Sequence, residues 1–125
     1  MRIEASGPRS ADEVWSLYTR PSTWPTWAPQ ITSVRGVADP ISPGARGVVH
    51  GLLVLRVPFV IEAIDDVARR WTWRVGIGPL SVVLDHGVDH LESGCSAWAD
   101  VHAPSLVVLP YSPLAQLALR RLVGL

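Results

Sequence analysis

The chain has 125 residues, with eleven arginine side chains balanced by eleven carboxylates, so it is formally neutral at pH 7. That removes the electrostatic case for nucleic acid or an anionic membrane surface as partner. Apolar residues make up 48% against 18% charged, six are tryptophan, and Cys95 is alone. The length suits one domain with a sizeable core, apolar surface is left over to face a ligand or partner, and no disulfide framework is available.

In chain order, residues 2–6 read as an edge-like strand ended by Gly7-Pro8. Ser10 followed by Glu13 is a capping box, predicting a helix to about Thr19 with Val14, Trp15, Leu17 and Tyr18 on its apolar face. Residues 22–29 form a proline-rich turn in which Trp24 and Trp27 plug one end of the fold. Period-two alternation follows, predicting strands over 31–37, 45–55, 59–64, 70–77, 80–91 and 95–102, with 56–58 as a break and 92–94 as a hairpin turn. Over 106–125 the apolar positions return to helical spacing. Ser112 is expected as N-cap, with Pro113 at the first helical position. Leu114, Leu117, Ala118 and Leu122 form the stripe, and Ala115, Leu119 and Val123 widen it. Pro110 and Pro113 predict a kinked or two-part helix. No apolar run approaches a membrane span, and no secretory signal opens the chain, so a cytoplasmic protein without stable membrane insertion is expected.

Strand, helix, helical turn, a meander of six strands and a final helix make an α+β architecture. The order, with the motifs Ala11-Asp12-Glu13-Val14-Trp15, Trp24-Pro25-Thr26-Trp27-Ala28-Pro29, Gly44-Ala45-Arg46-Gly47 and Arg70-Trp71-Thr72-Trp73, resembles the START-like (SRPBCC) superfamily. Within it, the chain resembles the polyketide cyclase/dehydrase branch over essentially its whole length. The resemblance implies the helix-grip fold, a curved antiparallel sheet of about seven strands wrapped on a C-terminal helix. It also implies a deep apolar cavity between the two that binds lipids, polyketides or other hydrophobic molecules, in some members with cyclisation or dehydration. This chain is at the short end of the family.

In the strand 70–77, alternation puts Trp71, Trp73, Val75 and Ile77 on the face toward the helix, with Arg74 on the other. Trp71 and Trp73 are core residues that can also be cavity wall. Val82, Leu84, His86, Val88 and His90 share a face of the next strand. With that face inward, His86 projects into the cavity as the best single candidate for acid–base chemistry. The plainer alternative is a buried histidine satisfied by a neighbour. Four residues apart on a strand, His86 and His90 are separated by roughly 13 Å, so no metal site is expected. His50, on a face with Val48 and Leu52, and His102, beside Trp98 and Asp100, are weaker candidates. Tyr18 and Tyr111 could present a phenol at the cavity mouth.

The expected ligand-binding set is therefore Trp71, Trp73, His50, Leu84, His86, Trp98, Tyr111, Leu114, Leu117 and Ala118. The expected catalytic set is His86, Arg74 and Tyr18. The leading function is binding of a small hydrophobic molecule such as a lipid, polyketide or similar aromatic or isoprenoid, without a cofactor. One alternative is a polyketide cyclase or dehydratase using His86 as acid/base. The other is a homodimerising interaction module.

Overall fold

The computed structural model describes residues 1–51 and 55–125, the side chain of Ile77 excepted. Among them, seven strands form one curved antiparallel sheet: β1 (Arg2–Gly7), β2 (Ile31–Arg35), β3 (Arg46–Gly51), β4 (Arg56–Asp65), β5 (Arg70–Ile77), β6 (Leu80–Leu91) and β7 (Gly94–His102). The order is β1-β7-β6-β5-β4-β3-β2, so the last six run as a meander and β1 closes onto β7 as an edge. Helix α1 (Ala11–Thr19), a 3-10 turn (Pro21–Thr23) and α2 (Trp24–Trp27) fill the link from β1 to β2, and α3 (Ser105–Val108) and α4 (Ser112–Leu122) end the chain. This is the helix-grip α+β fold. None of these helices is long and apolar enough to cross a membrane.

The break expected over 56–58 is absent, because Arg56, Val57 and Pro58 belong to β4. Pairing with β5 begins at Phe59 opposite Val75, so the proline sits where that ladder has not yet started. In the strand expected over 45–55, β3 ends at Gly51, and residues 52–54, with the placement of Leu52 beside His50, lie outside the described residues.

Half of the capping box forms. Ser10 Oγ accepts from the Glu13 amide at 3.1 Å, while the Glu13 carboxylate pairs with Arg9 at 3.1 Å. Ser10→Ala is expected to lower stability by about 1 kcal/mol, measured by urea unfolding, because that amide loses its partner.

The terminal helix is in two parts, as its prolines require, but Ser112 is not the N-cap. Ser112 is the first residue of α4, and its hydroxyl donates to the Leu109 carbonyl at 3.0 Å, back into the preceding turn. The other end is closed by a Schellman arrangement. Gly124 takes φ +97°, its amide donates to Arg121 O, and the Leu125 amide donates to Arg120 O. Arg9 Nη1 donates to the carbonyls of Arg121 and Leu122, both at 3.0 Å, placing a cation at the helix C-terminus. A β-carbon on Gly7 would collide with the Val123 backbone, so glycine there lets this helix end lie against β1.

Helix α4 packs chiefly against β1, with contacts to β7, α1 and α2, while α1 lies over β6 and β7. It buries Ala115, Ala118, Leu119 and Leu122. Leu114 and Leu117, expected at the centre of its inner stripe, are 36% and 40% exposed. The helix is rotated so that two alanines face the sheet, where short side chains permit close approach. Gln116 Nε2 fixes this rotation by donating to the Glu4 carbonyl at 2.7 Å.

Candidate functional site

Strand register builds the floor of a cavity from two neighbouring rows. One runs Ile3, Ala99, His86, Trp71 across β1, β7, β6 and β5; the next runs Val101, Leu84, Trp73. All seven line one space between sheet and helices. Tyr18 of α1, Trp24 and Trp27 of α2, and Ala115, Ala118 and Leu119 of α4 cover it, with Gln30, Ile31 and Tyr111 at its rim. Gln30 Nε2 donates to the Tyr111 hydroxyl at 3.1 Å, tying the two rim residues together.

The space is small, about 60 Å³. A cavity of about 150 Å³ is enough for benzene, so a ring enters this one only if side chains move. Aromatic packing is what closes it. Trp71 stacks on His86 at 3.8 Å with 8° between planes, and on Trp24 at 5.8 Å with 21°. Tyr18 meets Trp71, Trp27 and His86 edge-on at 5.7, 5.8 and 5.5 Å.

His86 is buried, and its Nδ1 lies 3.3 Å from the Trp71 carbonyl. A carbonyl only accepts, so Nδ1 carries the proton and Nε2 is left as an acceptor. Burial holds the imidazole neutral and pushes its pKa down to about 3, against a smaller upward pull from that hydrogen bond and from Asp85. Tyr18 does not present its phenol at a mouth. It is buried, donates to the Trp98 carbonyl at 2.9 Å, and burial raises its pKa.

Among the described residues, four buried side-chain polar atoms lack a hydrogen-bond partner, Nε1 of Trp27, Trp71 and Trp73 and Oε1 of Gln30, and all four residues line this cavity. Among the described residues lining it, none is ionised.

Of the sequence candidates, the structure brings together Tyr18, Trp71, Trp73, Leu84, His86, Tyr111 and Ala118. It places the others elsewhere. Arg74 is exposed on the opposite face of the sheet, 3.5 Å from Glu62 and within 3.3 Å of Ser81 Oγ. His50 lies on β3 opposite Arg56, outside the lining. Trp98 also belongs to the outer face, where the guanidiniums of Arg2 and Arg70 cover its ring at 4.1 and 4.9 Å and Asp89 accepts its N–H at 3.1 Å. A β-carbon on Gly87 would collide with that indole, which explains a glycine in mid-strand. His102 pairs with Asp85 at 2.8 Å on the same outer face, and His90 is exposed. Leu114 and Leu117 point outward with α4.

Sequence reasoning placed Trp24 and Trp27 only as a plug at one end of the fold, and missed them, with Ile3, Ala28, Gln30, Ile31, Ala99, Val101, Ala115 and Leu119, as lining residues. For Ile3, Ala99 and Val101 the signal was present in strand alternation. Gln30 and Ile31 follow a proline-rich turn and carried none.

Residues 2–121 match the family model described as polyketide cyclase / dehydrase and lipid transport. No curated protein matches the chain significantly. Among solved structures, it is similar to Ara h 8.0201 at 16% identity and TM-score 0.75, over 99% of this chain and 94% of that one. It is similar to the di-domain ARO/CYC BexL from the BE-7585A biosynthetic pathway at 17% identity and TM-score 0.78, over 100% of this chain and 46% of that one. A Thalictrum norcoclaurine synthase point mutant, in complex with a transition-state analogue, matches at 17% identity and TM-score 0.67, over 98% and 92% of the two chains. At these identities the likeness is one of fold.

Proposed function

The chain belongs to the polyketide cyclase/dehydrase and lipid transport family, and we propose that it binds a small, uncharged, largely apolar molecule in the cavity beneath α4. The observation that carries this reading is an aromatic-walled space, without an ionised side chain among the described residues lining it, positioned between the sheet and the terminal helix. Because the space is closed to ring-sized molecules, binding proceeds by an opening of the Gln30–Tyr111 rim or a shift of the tryptophans above the floor. The norcoclaurine synthase neighbour is in complex with a transition-state analogue on a similar fold, which supports a ligand here without naming it.

A cyclase or dehydratase has one residue in favour of it, His86, whose unprotonated Nε2 belongs to a cavity-lining side chain. Neither expected companion offers it a free group. Arg74 is on the far face, and the Tyr18 hydroxyl is committed to a carbonyl. An imidazole with a pKa near 3 is also far from the poise that acid–base exchange at neutral pH needs. The interaction-module reading draws on an exposed strip of Leu106, Leu109, Leu114 and Leu117 along α3 and α4.

Uptake of the neutral fluorophore N-phenyl-1-naphthylamine separates these readings. Saturable one-to-one uptake is expected, abolished in Ala118→Phe, which fills the cavity, and retained in Leu117→Phe on the outward face of the same helix. Uptake sensitive to Leu117 and indifferent to Ala118 would assign the dye to the outer strip and overturn the proposal.

A further inference from the structure

The chain is neutral overall, but its charges are not evenly spread over the outer face of the sheet. Three neighbouring rows across β2–β5 run Ser33, His50, Arg56; Arg35, Val48, Pro58; and Arg46, Val60, Arg74. They hold four arginines and no carboxylate. Arg46 and Arg74 line a depression of about 190 Å³ on this face, turned away from the cavity beneath α4. Pro58 and Val60 give it an apolar floor, and Gly76 keeps it open. A β-carbon on Gly76 would stand 3.4 Å from Pro58 Cγ, within the depression. The backbone does not demand glycine there, since φ is not positive. The polar groups around the depression are open to solvent. Arg74 has a side chain 45% exposed, and its Nη1 donates to Ser81 Oγ at 3.3 Å, which leaves the Ser81 hydroxyl proton free to donate. The Glu62 carboxylate, 3.5 Å from Arg74 Nη2, is beyond the length of a charge-assisted hydrogen bond. Arg46 is exposed too, and its side chain makes no hydrogen bond or ion pair among the described residues.

We propose that this depression is a second binding site, for a phosphate monoester whose ester group is apolar. Arg46 and Arg74 stand two strands apart in one row, about 10 Å between α-carbons, and side chains of that length can close on one group above Val60. A phosphate monoester carries nearly two charges at pH 7 and three acceptor oxygens. Those serve two guanidiniums and the Ser81 hydroxyl together, whereas one guanidinium fork already satisfies a carboxylate. The depression is larger than the phosphate group needs, so the apolar ester rests on Pro58 and Val60 beside its charge. Because the site is open to water, its ion pairs are screened and the affinity is modest, in the millimolar range. The cavity beneath α4 offers no cation, so the two faces of the sheet take ligands of opposite kinds.

Phenyl phosphate, inorganic phosphate and benzoate are titrated into the 15N-labelled chain, following the Gly76 and Ser81 amides and the Nε–H groups of Arg46 and Arg74. Phenyl phosphate is expected to give saturable shifts at all four, about tenfold more tightly than benzoate and more tightly than inorganic phosphate. Its affinity should fall about tenfold in Arg46→Gln, in Arg74→Gln and in Gly76→Val, which fills the depression and leaves both cations in place. Arg20→Gln removes the same charge at the end of α1 and should leave binding unchanged. Binding retained in both Arg46→Gln and Arg74→Gln, or weakened as much by Arg20→Gln, would overturn the site. Equal affinity for benzoate would overturn the phosphate class, and equal affinity for inorganic phosphate would overturn the apolar ester. Phosphatidylcholine vesicles doped with phosphatidic acid distinguish the source. Co-sedimentation that is lost in Arg74→Gln assigns the monoester to a lipid headgroup, and phenyl phosphate binding without co-sedimentation assigns it to a soluble ester. The cavity beneath α4 takes no part, so failure here leaves the ligand-binding reading standing.

Discussion

Trp71→Ala is expected to lose about 3–5 kcal/mol of unfolding free energy. Trp71 is 2% exposed and touches His86, Trp24, Tyr18 and Trp73 through its ring. Its N–H makes no hydrogen bond, so the whole loss comes from area returned to water and from the void left behind. For a domain of this size the corresponding fall in Tm is roughly 10 °C or more. Trp71→Phe keeps a ring against His86 and removes an unpartnered donor, so its loss should be clearly smaller. Urea unfolding followed by far-UV circular dichroism measures both. A Trp71→Ala protein within about 1 kcal/mol of the parent, where surface substitutions fall, would contradict the packing described here. The alanine variant should also admit a benzene-sized ring more readily than the parent, since the indole it lacks is part of what closes the space.

Acidification is expected to weaken the fold across the window from about pH 6.5 down to about pH 3, through His86. Above that window the imidazole is neutral in both folded and unfolded chains, and its contribution is fully present. Below pH 6.5 the unfolded chain takes up a proton that the folded chain refuses until about pH 3, so stability falls as pH falls. Each unit is equivalent to about 1.4 kcal/mol, which makes the loss several kcal/mol over the window. Asp85, held below the usual carboxylate range first by the Thr72 hydroxyl and also by His102, and Asp100, held down by Arg2, act in the same direction but only below pH 3.8. They therefore do not confuse the upper part of the curve. His86→Phe keeps a ring against Trp71 and cannot titrate, so its unfolding free energy should change much less between pH 6.5 and pH 4. Equal slopes for the parent and His86→Phe would mean that His86 is not the buried neutral group described.

Much of this site was readable before any coordinates. The strands over 70–77 and 80–91 have the boundaries that their alternation and the Gly78-Pro79 pair predict. A two-residue link between them fixes Trp71 opposite His86 and Trp73 opposite Leu84. The cavity's central pair was thus implicit in the hairpin. Alternation also put Arg74 on the far face, where the structure has it, and grouped Trp98 with Asp100 and His102, but Trp98 was still expected to line the cavity, and the structure puts it on the outer face. The rotation of α4 was not readable. Its apolar arc is broad enough to present either leucines or alanines inward, and the choice is made by Gln116 on β1 and by the close approach at Gly7. Nor was the closure of the cavity, which depends on how five aromatic rings from α1, α2 and β5 tilt against one another and against His86. Periodicity assigns a side chain to a face and is silent about its rotamer.

A crystal soaked to saturation with bromobenzene tests the central claim directly, since the bromine is located by its anomalous signal. The account predicts a peak between the Trp71–His86 pair and Ala118, with the Gln30–Tyr111 contact or the neighbouring tryptophans displaced to admit the ring. Bromine found only outside, along Leu106 and Leu109, with the interior unchanged, would contradict it.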